Sequence, residues 1–543
     1  MWQHNYTPVA GSLLWSTVVA AAPIFVLLLL IGILRKPAWI SALWGLSAAI
    51  VISLFEYGMP VRNVVGAVSY GAAYGLFPIG WIVFSSILLY RVALETGKFE
   101  VIKNSMGHLT SDRRMQALLI AFAFGAFIEG AAGFGTPVAV AAAMLAGLGF
   151  SPFIAAAISL LCNTAPVAFG SIGIPVITLA GVTGLPIDRV SAGVGRLCLP
   201  LGLIVPGYMI VLMGGWTALR GVFPAAALCG VAFASTQFVI SNFIGPQLAD
   251  LIAAIITIGV LVLLLQVWKP SDNFSLAGEH ATAVGETVPH YPAGQLFSAW
   301  LPYILLAAFV LVWGAKFAQP LLNTVTVPIP WPWLHNEILR MPPVTAKPVP
   351  YGAIFTLNWL SASGTSCFLA SIAAALCLRV SPRKFAEIFA HTFKQLYRAE
   401  ITMAAVLAIA FLMNYAGATG TLGLAFAAAG VMFPFFSAIL GWLGVFLTGS
   451  DTSANALFGQ LQVITATRLN MNPALMASAN CAGGGPGKMI SLASIAVAAA
   501  ATDLKREDEG KLFQYAFRHS VLLGVIIGLL TVFYAYVMPQ WAP

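Results

Sequence analysis

The sequence predicts an all-α polytopic membrane protein of about 12–14 transmembrane helices, with inverted structural repeats and discontinuous (broken) helices or re-entrant hairpins. Composition is the first reason: 60% of the 543 residues are hydrophobic and 8% are charged, whereas an ordinary soluble chain is about 25% charged. The second is that apolar runs long enough to cross a bilayer recur along the whole chain. The third is that Gly, Pro and Asn interrupt several of these runs in a repeated pattern. A soluble globular protein is therefore excluded.

The distribution of charge predicts the orientation of the chain. The 26 Lys and Arg exceed the 18 Asp and Glu and give a net charge of +8, which in a soluble protein could suggest a nucleic-acid partner. Here the cations cluster in short loops between apolar runs, around residues 35–36, 98–114, 379–398 and 505–518. Cytoplasmic loops carry an excess of Lys and Arg. We therefore expect these loops inside, both termini outside, and no nucleic-acid partner.

The apolar runs and two polar segments divide the chain into five parts. We expect N-terminal spans at 1–112, a first repeat core with following spans at 113–268, a cytoplasmic linker at 269–295, spans at 296–380, and a second repeat core with the last span at 381–543. Within the fourth part, residues 318–350 are rich in Pro and Trp, which suits an external loop at the headgroup level. Neither polar segment is long enough to be a catalytic domain.

An internal repeat is the most informative feature of the sequence. The run G-A-F-I-E-G-A-A-G-F-G at Gly125–Gly135 is followed by N-T-A-P-V-A-F-G at Asn163–Gly170. In the second half, G-V-F-L-T-G-S-D-T-S-A-N at Gly444–Asn455 is followed by N-C-A-G-G-G-P-G at Asn480–Gly487. Two blocks in the same order at nearly the same spacing indicate duplication. The parity of the predicted crossings indicates an inverted pair, a common plan of secondary transporters.

Four segments inside apolar runs are predicted to interrupt helices: Gly130–Gly135, Asn163–Gly173, Gly449–Asn455 and Asn480–Gly487. Each backbone group left unpaired in hydrocarbon costs several kcal/mol, so we expect these segments to be buried around a polar cavity. Half-helix N-termini there would present N–H groups to an anion. The alternative is that the glycines serve only close packing between helices.

Three ionisable residues lie inside or directly beside these segments: Glu129, Asp451 and Lys488. Each would cost roughly 2.5–3.5 kcal/mol at the centre of a lone spanning helix, which makes a functional role the default hypothesis. We expect Asp451 to pair with Lys488, and a substrate carboxylate to compete for that lysine. Asp451 or Glu129 would then take a proton and couple anion entry to proton entry. The alternative is a permanent structural Asp–Lys pair.

Hydroxyl and amide groups in the same segments are candidates to bind the rest of a small acid, and they are Asn163, Thr164, Ser450, Ser453, Asn455 and Asn480. Unwound carbonyls beside such groups could hold Na⁺ instead, so a sodium-coupled carrier remains open. An intramembrane enzyme would need a nucleophile–base pair or metal ligands in the spans, and the sequence offers neither. The six Cys are scattered singly, without a C-x-x-C pair or a His cluster, so no metal or cofactor is expected.

Several long motifs resemble one family. They are W-Q-H-N-Y near the start, F-G-A-F-I-E-G-A-A-G-F-G at Phe124–Gly135, N-T-A-P-V-A-F-G at Asn163–Gly170, S-N-F-I-G-P at Ser241–Pro246, G-W-L-G-V-F-L-T-G-S-D-T-S-A-N-A-L-F at Gly441–Phe458 and G-K-M-I-S at Gly487–Ser491. These stretches resemble the L-lactate permease family of bacterial inner-membrane transporters, and the similarity covers essentially the whole chain. The resemblance implies import of L-lactate, D-lactate or glycolate with protons. In an inner membrane, the termini expected outside from the charge distribution would be periplasmic. The resemblance also implies functional roles for Glu129, Asp451 and Lys488.

Overall fold

The fold is a bundle of apolar helices, as the composition predicts. The computed structural model describes residues 1–107, 109–133, 135–270, 274, 291–315 and 317–543. Ten helices in these ranges are long and apolar enough to cross a membrane, and a bent helix pair can make an eleventh span. Most of the linker predicted at 269–295, namely residues 271–273 and 275–290, lies outside the described residues.

The helices of the first half alternate long spans with short pieces. Their bounds are α1 (Leu13–Leu28), α2 (Ala38–Phe55), α3 (Val61–Tyr74), α4 (Trp81–Glu95), α5 (Lys98–Gly107), α6 (Arg113–Ala117), α7 (Gly125–Ala131), α8 (Thr136–Gly147), α9 (Pro152–Cys162), α10 (Gly170–Thr183), α11 (Ile187–Phe243) and α12 (Ala249–Val267). Wider π-helical turns at Leu29–Ile33, Gly75–Gly80 and Leu118–Phe124 follow α1, α3 and α6 directly, and a short 3₁₀ turn at Val167–Phe169 precedes α10.

The second half likewise alternates long spans with short helices. Its helices are α13 (Ala293–Gly314), α14 (Gln319–Leu322), α15 (Ser363–Cys377), α16 (Pro382–Ala416), α17 (Ala418–Phe426), α18 (Phe433–Thr448), α19 (Asp451–Arg468), α20 (Pro473–Met489), α21 (Leu492–Ala501) and α22 (Arg506–Tyr536). Short 3₁₀ turns lie at Asn323–Val325, Ala427–Met432 and Pro539–Trp541. Helices α18, α19 and α20 pack against one another, α10 packs on α19, and α16 packs on α2 and α3.

The number of long helices is lower than the number of passes expected from apolar runs, for two physical reasons. Helix α11 has 57 residues and is about 85 Å long, nearly three times the roughly 30 Å of a hydrocarbon core. It bends at Gly214–Gly215, where Gly215 has a φ of +73°, so this one helix supplies two passes. Other runs form helices of only 10–17 residues, among them α8, α15 and α21.

Within the described ranges, five short strands cover one face of the bundle: β1 (Trp2–Gln3), β2 (Val327–Pro330), β3 (Ile338–Arg340), β4 (Val349–Pro350) and β5 (Ile354–Leu357). β1 pairs in parallel with β3, β3 pairs antiparallel with β4, and β2 pairs antiparallel with β5. The N-terminal segment thus lies on the Pro- and Trp-rich loop. That loop rests on α3, where Asn63 Nδ2 donates to the carbonyl of Trp333 at 2.7 Å.

The two chain ends lie near the connection between α19 and α20. His4 and Arg468, the last residue of α19, line one cavity. Asn472, which caps α20, donates from Nδ2 to the carbonyl of Pro543 at 2.7 Å. Both ends are therefore held at the turn between the same two helices, which agrees with an even number of passes.

Candidate functional site

The first broken element is a hairpin that enters and leaves the bundle at one face. α6, the π-helical turn and α7 form one arm, and α8 forms the other. Arg113 Nη1, at the start of α6, donates to the carbonyl of Leu148 just after α8 at 2.5 Å. At the tip, Gly133 and Gly135 have φ values of +58° and +82°, a conformation that glycine adopts without strain. The break predicted at Gly130–Gly135 is confirmed at Ala132, Gly133 and Gly135, whereas Gly130 and Ala131 belong to α7.

The second broken element is the helix pair α9–α10, which is bent by 61°. α9 ends at Cys162, and three consecutive residues from Ser171 have positive φ at the start of α10. A Cβ on Gly170 would collide with the carboxyl of Glu129, so glycine lets the α7 acid approach this backbone. The break predicted at Asn163–Gly173 is confirmed.

A second hairpin is formed by α18 and α19, which pack against each other. Only Gly449, with a φ of +72°, and Ser450 separate the two helices. Ser450 Oγ accepts a hydrogen bond from the backbone N–H of Ser453 at 3.2 Å and caps α19. The break predicted at Gly449–Asn455 is confirmed for its first two residues, whereas the chain from Asp451 onward is helical.

The fourth predicted break is wrong. Asn480–Gly487 is helical throughout and lies within α20, and the helix ends instead at Met489. The interruption follows at Ile490 and Ser491, before α21 begins. The matching spacing of Asn and Gly in the two repeats therefore does not mark matching breaks.

The glycines of this run serve close helix packing, which was the alternative reading of the sequence. A Cβ on Gly441 of α18 would collide with the carbonyl oxygen of Asn480, and a Cβ on Gly483 of α20 would collide with that of Ala438. The backbones of α18 and α20 are thus in direct contact, which small residues at a helix interface permit. Tight packing on α18 keeps α20 helical despite its glycines.

Gly441→Ala is expected to destabilise the protein, because the added methyl must displace the α20 backbone. Overpacking of this kind costs about 1–3 kcal/mol. The matched control is Gly510→Ala in α22, where a Cβ would meet nothing within 4 Å and Ala favours the helix by about 1 kcal/mol. Thermal unfolding of the purified variants in detergent should show a lower melting temperature for Gly441→Ala only. Equal melting temperatures would contradict the packing described for α18 and α20.

The tips and breaks surround one cavity of about 180 Å³, here called the central cavity. One water needs roughly 10–15 Å³, so the central cavity has room for a small organic molecule. Its lining residues come from both hairpins and both broken spans: Glu129, Gly135, Val167, Gly170, Ser171, Ile174, Pro175, Gly449, Ser450, Asp451, Thr452, Lys488, Ala493, Ser494 and Val497.

The three predicted ionisable residues all line this cavity. Glu129 and Asp451 are each only 3% exposed. Glu129 Oε2 and Asp451 Oδ1 are buried and have no hydrogen-bond partner among the described residues. Lys488 is the one cationic side chain in the described lining. Within the same described ranges, no group of three or more His, Cys, Asp or Glu is arranged to hold a metal ion.

The predicted ion pair between Asp451 and Lys488 is not formed. Asp451 Oδ2 instead accepts a hydrogen bond from Cys481 Sγ at 3.3 Å. Lys488 nevertheless interacts electrostatically with both Asp451 and Glu129. No carboxylate of a described residue lies within 4.0 Å of Lys488 Nζ. Its ammonium group is left available to an anion.

Three helix N-termini also border the central cavity. Gly135 is the N-cap of α8, Ser450 is the N-cap of α19, and Ser494 lies in the first turn of α21. The N-terminal end of a helix carries partial positive charge and unpaired N–H groups. These helix ends add to the positive charge of Lys488 and offset the negative charge of the two acids.

Five of the predicted polar contacts lie outside the described lining: Asn163, Thr164, Ser453, Asn455 and Asn480. Asn163 is buried with its side chain close to the Glu129 carboxyl, although neither of its amide atoms meets hydrogen-bond geometry with a described residue. Thr164 Oγ1 donates to Met489 Sδ at 4.0 Å.

The other amides are used by the protein itself. Asn455 Nδ2 donates to the carbonyl of Pro175 at 3.2 Å, and Asn480 Nδ2 donates to Asn455 Oδ1 at 2.9 Å. Gln462 Nε2 donates in turn to Asn480 Oδ1 at 3.0 Å. This chain of hydrogen bonds ties α19 to α10 and α20. Both amides are thus used within the protein, and a contact between them and a substrate stays a prediction.

Sequence reasoning missed four polar residues at or near the cavity. Ser171, Thr452 and Ser494 supply hydroxyl groups to its lining. Asp250 is 1% exposed, accepts from Gln237 Nε2 at 2.7 Å, and lies against Gly130, where an added Cβ would be 3.0 Å from its own Cβ. The signal for Asp250 was an acid inside an apolar run, the same signal that identified Glu129.

Comparison with known proteins agrees with this architecture. The family model of L-lactate permeases matches residues 16–538. The chain is 40% identical to an L-lactate permease of Bacillus subtilis (strain 168) over the full length of both, and 41% identical to the glycolate permease GlcA of Escherichia coli (strain K12) over 99% of this chain and 98% of that one. The structure of the Neisseria gonorrhoeae transporter MtrF, from a class of antimetabolite efflux pumps, shares the fold at 13% identity, with a TM-score of 0.50 and coverage of 94% and 97%. The chain therefore belongs to the L-lactate permease family.

Proposed function

We propose that this protein imports a small 2-hydroxymonocarboxylate, such as L-lactate, D-lactate or glycolate, together with protons. The relatives named for L-lactate and for glycolate support this substrate class. The observation that carries the proposal is the central cavity, whose described lining combines one ammonium group without a direct ion pair, two acids and several hydroxyl groups between helix breaks. We place the protein in the bacterial inner membrane as a multi-pass transporter with both termini in the periplasm, which the positive-inside rule supports.

The substrate carboxylate binds Lys488 and the neighbouring helix N-termini. A carboxylate on an ammonium group makes a charge-assisted hydrogen bond, roughly twice as strong as a neutral one. The 2-hydroxyl then lies within reach of the hydroxyl groups in the lining, which belong to Ser171, Ser450, Thr452 and Ser494. Of the contacts expected from the sequence, this binding mode keeps Lys488 and Ser450.

Protons bind to Glu129 and Asp451. Because Asp451 is not paired with Lys488, coupling does not require an ion pair to be exchanged. The entering carboxylate instead adds a third negative charge to a small cavity that already holds two acids and one cation. Like charges at close range favour protonation of one of the acids. Anion binding and proton binding therefore promote each other, which is the requirement for symport.

Alternating access follows from two similar units. The first consists of the α6–α8 hairpin with α9–α10, and the second of the α18–α19 hairpin with α20–α21. α21 packs against α8 and α9, and α10 packs against α19, so half-helices of each unit contact the hairpin of the other. We interpret this exchange as an inverted pair, in which movement of either hairpin opens the central cavity to one side.

Uptake of labelled L-lactate into proteoliposomes tests the proposal. An inward pH gradient should drive accumulation above equilibrium, and a sodium gradient without a pH gradient should not. Accumulation driven by sodium alone would establish the sodium-coupled alternative. Absence of L-lactate and glycolate uptake under both gradients would overturn the function itself.

A further inference from the structure

A second cavity lies beneath the loop that carries β3, on the face where the N-terminal segment sits. Its volume is about 350 Å³. It is lined by the N-terminal segment, the Pro- and Trp-rich loop, the junction of α16 and α17, and the end of α19: His4, Tyr6, Arg340, Val344, Thr345, Ala346, Tyr351, Asn414, Gly417, Gly420, Gln460, Val463, Ile464 and Thr467. The described lining contains no Asp or Glu. We call it the antechamber.

Arg340 gives the antechamber a positive charge that nothing in the described chain neutralises. Its guanidinium lies over the ring of Tyr351, 4.7 Å from the centroid. It makes no hydrogen bond or ion pair with a described residue, and its buried Nε has no partner. Hydrogen-bonding groups of an arginine are rarely left unused when they are shielded from water. An anion with planar oxygens would satisfy them in the bidentate geometry that arginine favours.

The other groups in the lining fit a small hydroxy acid. His4 is held neutral: its Nε2 lies 2.8 Å from the carbonyl of Tyr415, its Nδ1 lies 3.2 Å from Tyr6 Oη, and burial lowers its pKa to about 4. Gln460 Oε1 is buried without a partner among the described residues and can accept a hydrogen bond from a hydroxyl. The guanidinium of Arg340 and the amide oxygen of Gln460, which line the same cavity, thus match a carboxylate with a neighbouring hydroxyl group.

Helix α19 connects the antechamber to the central cavity. Thr452 in its first turn lines the central cavity, and Gln460 lines the antechamber. Eight residues separate them, which is about 12 Å along the helix axis. Because α19 is an arm of the second hairpin, movement of that hairpin changes both cavities together.

We propose that the antechamber is a second carboxylate-binding site, in which Arg340 captures a 2-hydroxymonocarboxylate before it enters the central cavity. The proposal rests on the proposed function for its substrate and on the periplasmic orientation of this face. It assigns Arg340 and Gln460 a role in loading at low substrate concentration, not in the transport step.

Initial rates of L-lactate uptake into proteoliposomes under a fixed pH gradient test this role. Arg340→Gln should raise KM about tenfold and leave Vmax within about twofold of the wild type. Arg340→Lys, which keeps the positive charge but lacks the bidentate guanidinium group, should have an intermediate KM. Gln460→Leu, which leaves the stacking on Tyr351 intact, should raise KM by a smaller factor. Arg62→Gln is the matched control, since Arg62 lies at the same face, is exposed and is paired with Glu337, and its KM should not change.

The outcomes separate this inference from the proposed function. A wild-type protein that takes up neither L-lactate nor glycolate refutes the function. An active wild type with the same KM as Arg340→Gln and Gln460→Leu refutes only the antechamber. If Arg340→Gln lowered Vmax and the melting temperature at unchanged KM, Arg340 would have a structural role through Tyr351. That result would also refute the antechamber as a binding site.

Discussion

Lys488→Met is expected to reduce L-lactate uptake at least about thirtyfold. Lys488 is the one cationic side chain in the described lining of the central cavity, and no described carboxylate forms a direct ion pair with it. Removing one partner of a buried charge pair costs about 2–5 kcal/mol, and 2 kcal/mol corresponds to about a thirtyfold change in binding. The variant also leaves two acids in the cavity without a cation, which further opposes entry of an anion. Initial rates in proteoliposomes under a pH gradient measure the effect.

Lys505→Met provides the matched control, since Lys505 is exposed and caps α22 outside the cavity. Its uptake should equal that of the wild type. Melting temperatures of both variants would show that neither loses its fold. If Lys488→Met retained more than about a third of wild-type uptake, the carboxylate would have to bind elsewhere.

Glu129→Gln and Asp451→Asn are expected to abolish accumulation driven by a pH gradient. An amide has nearly the shape of a carboxyl group but carries no exchangeable charge, so the cavity can still accept lactate yet cannot take up a proton with it. The ratio of internal to external lactate should fall to about one. Exchange of labelled for unlabelled lactate across the membrane should continue, because exchange requires no net proton movement. The two assays together separate loss of coupling from loss of binding.

Asp508→Asn is the control for this pair, because Asp508 forms a surface ion pair with Lys511 at 2.7 Å. It should accumulate lactate like the wild type. Undiminished accumulation by Asp451→Asn would remove Asp451 from the coupling mechanism, and the same result for Glu129→Gln would remove Glu129. If both acids were dispensable, the buried Asp250 behind Gly130 would be the next candidate.

Composition and motif spacing predict the helical membrane fold and three of the four helix breaks, because the cost of unpaired backbone in lipid is a strong and local constraint. They fail at Asn480–Gly487, where the same residue types lie in an intact helix. Gly and Pro permit a helix to break, but they do not require it to break. The contact of Gly441 with Asn480, which keeps α20 helical, joins residues far apart in the sequence and is not encoded in either segment alone.

The candidate site was likewise predicted from the sequence only in part. Charged residues within apolar runs identified Glu129, Asp451 and Lys488, and all three line the central cavity. The sequence does not show the directions of side chains, so it predicted a direct pair between Asp451 and Lys488, whereas Asp451 Oδ2 accepts a hydrogen bond from Cys481. It also treated Asn455 and Asn480 as substrate contacts, although hydrogen bonds across three helices already occupy them.

A cryo-EM structure of the protein in lipid nanodiscs with saturating L-lactate is the most direct measurement. We expect density for one small molecule in the central cavity, with its carboxylate within hydrogen-bond distance of Lys488 Nζ and its hydroxyl on a serine or threonine of the lining. A well-resolved map in which that cavity is empty while lactate occupies a site away from Lys488, Glu129 and Asp451 would contradict the proposed mechanism.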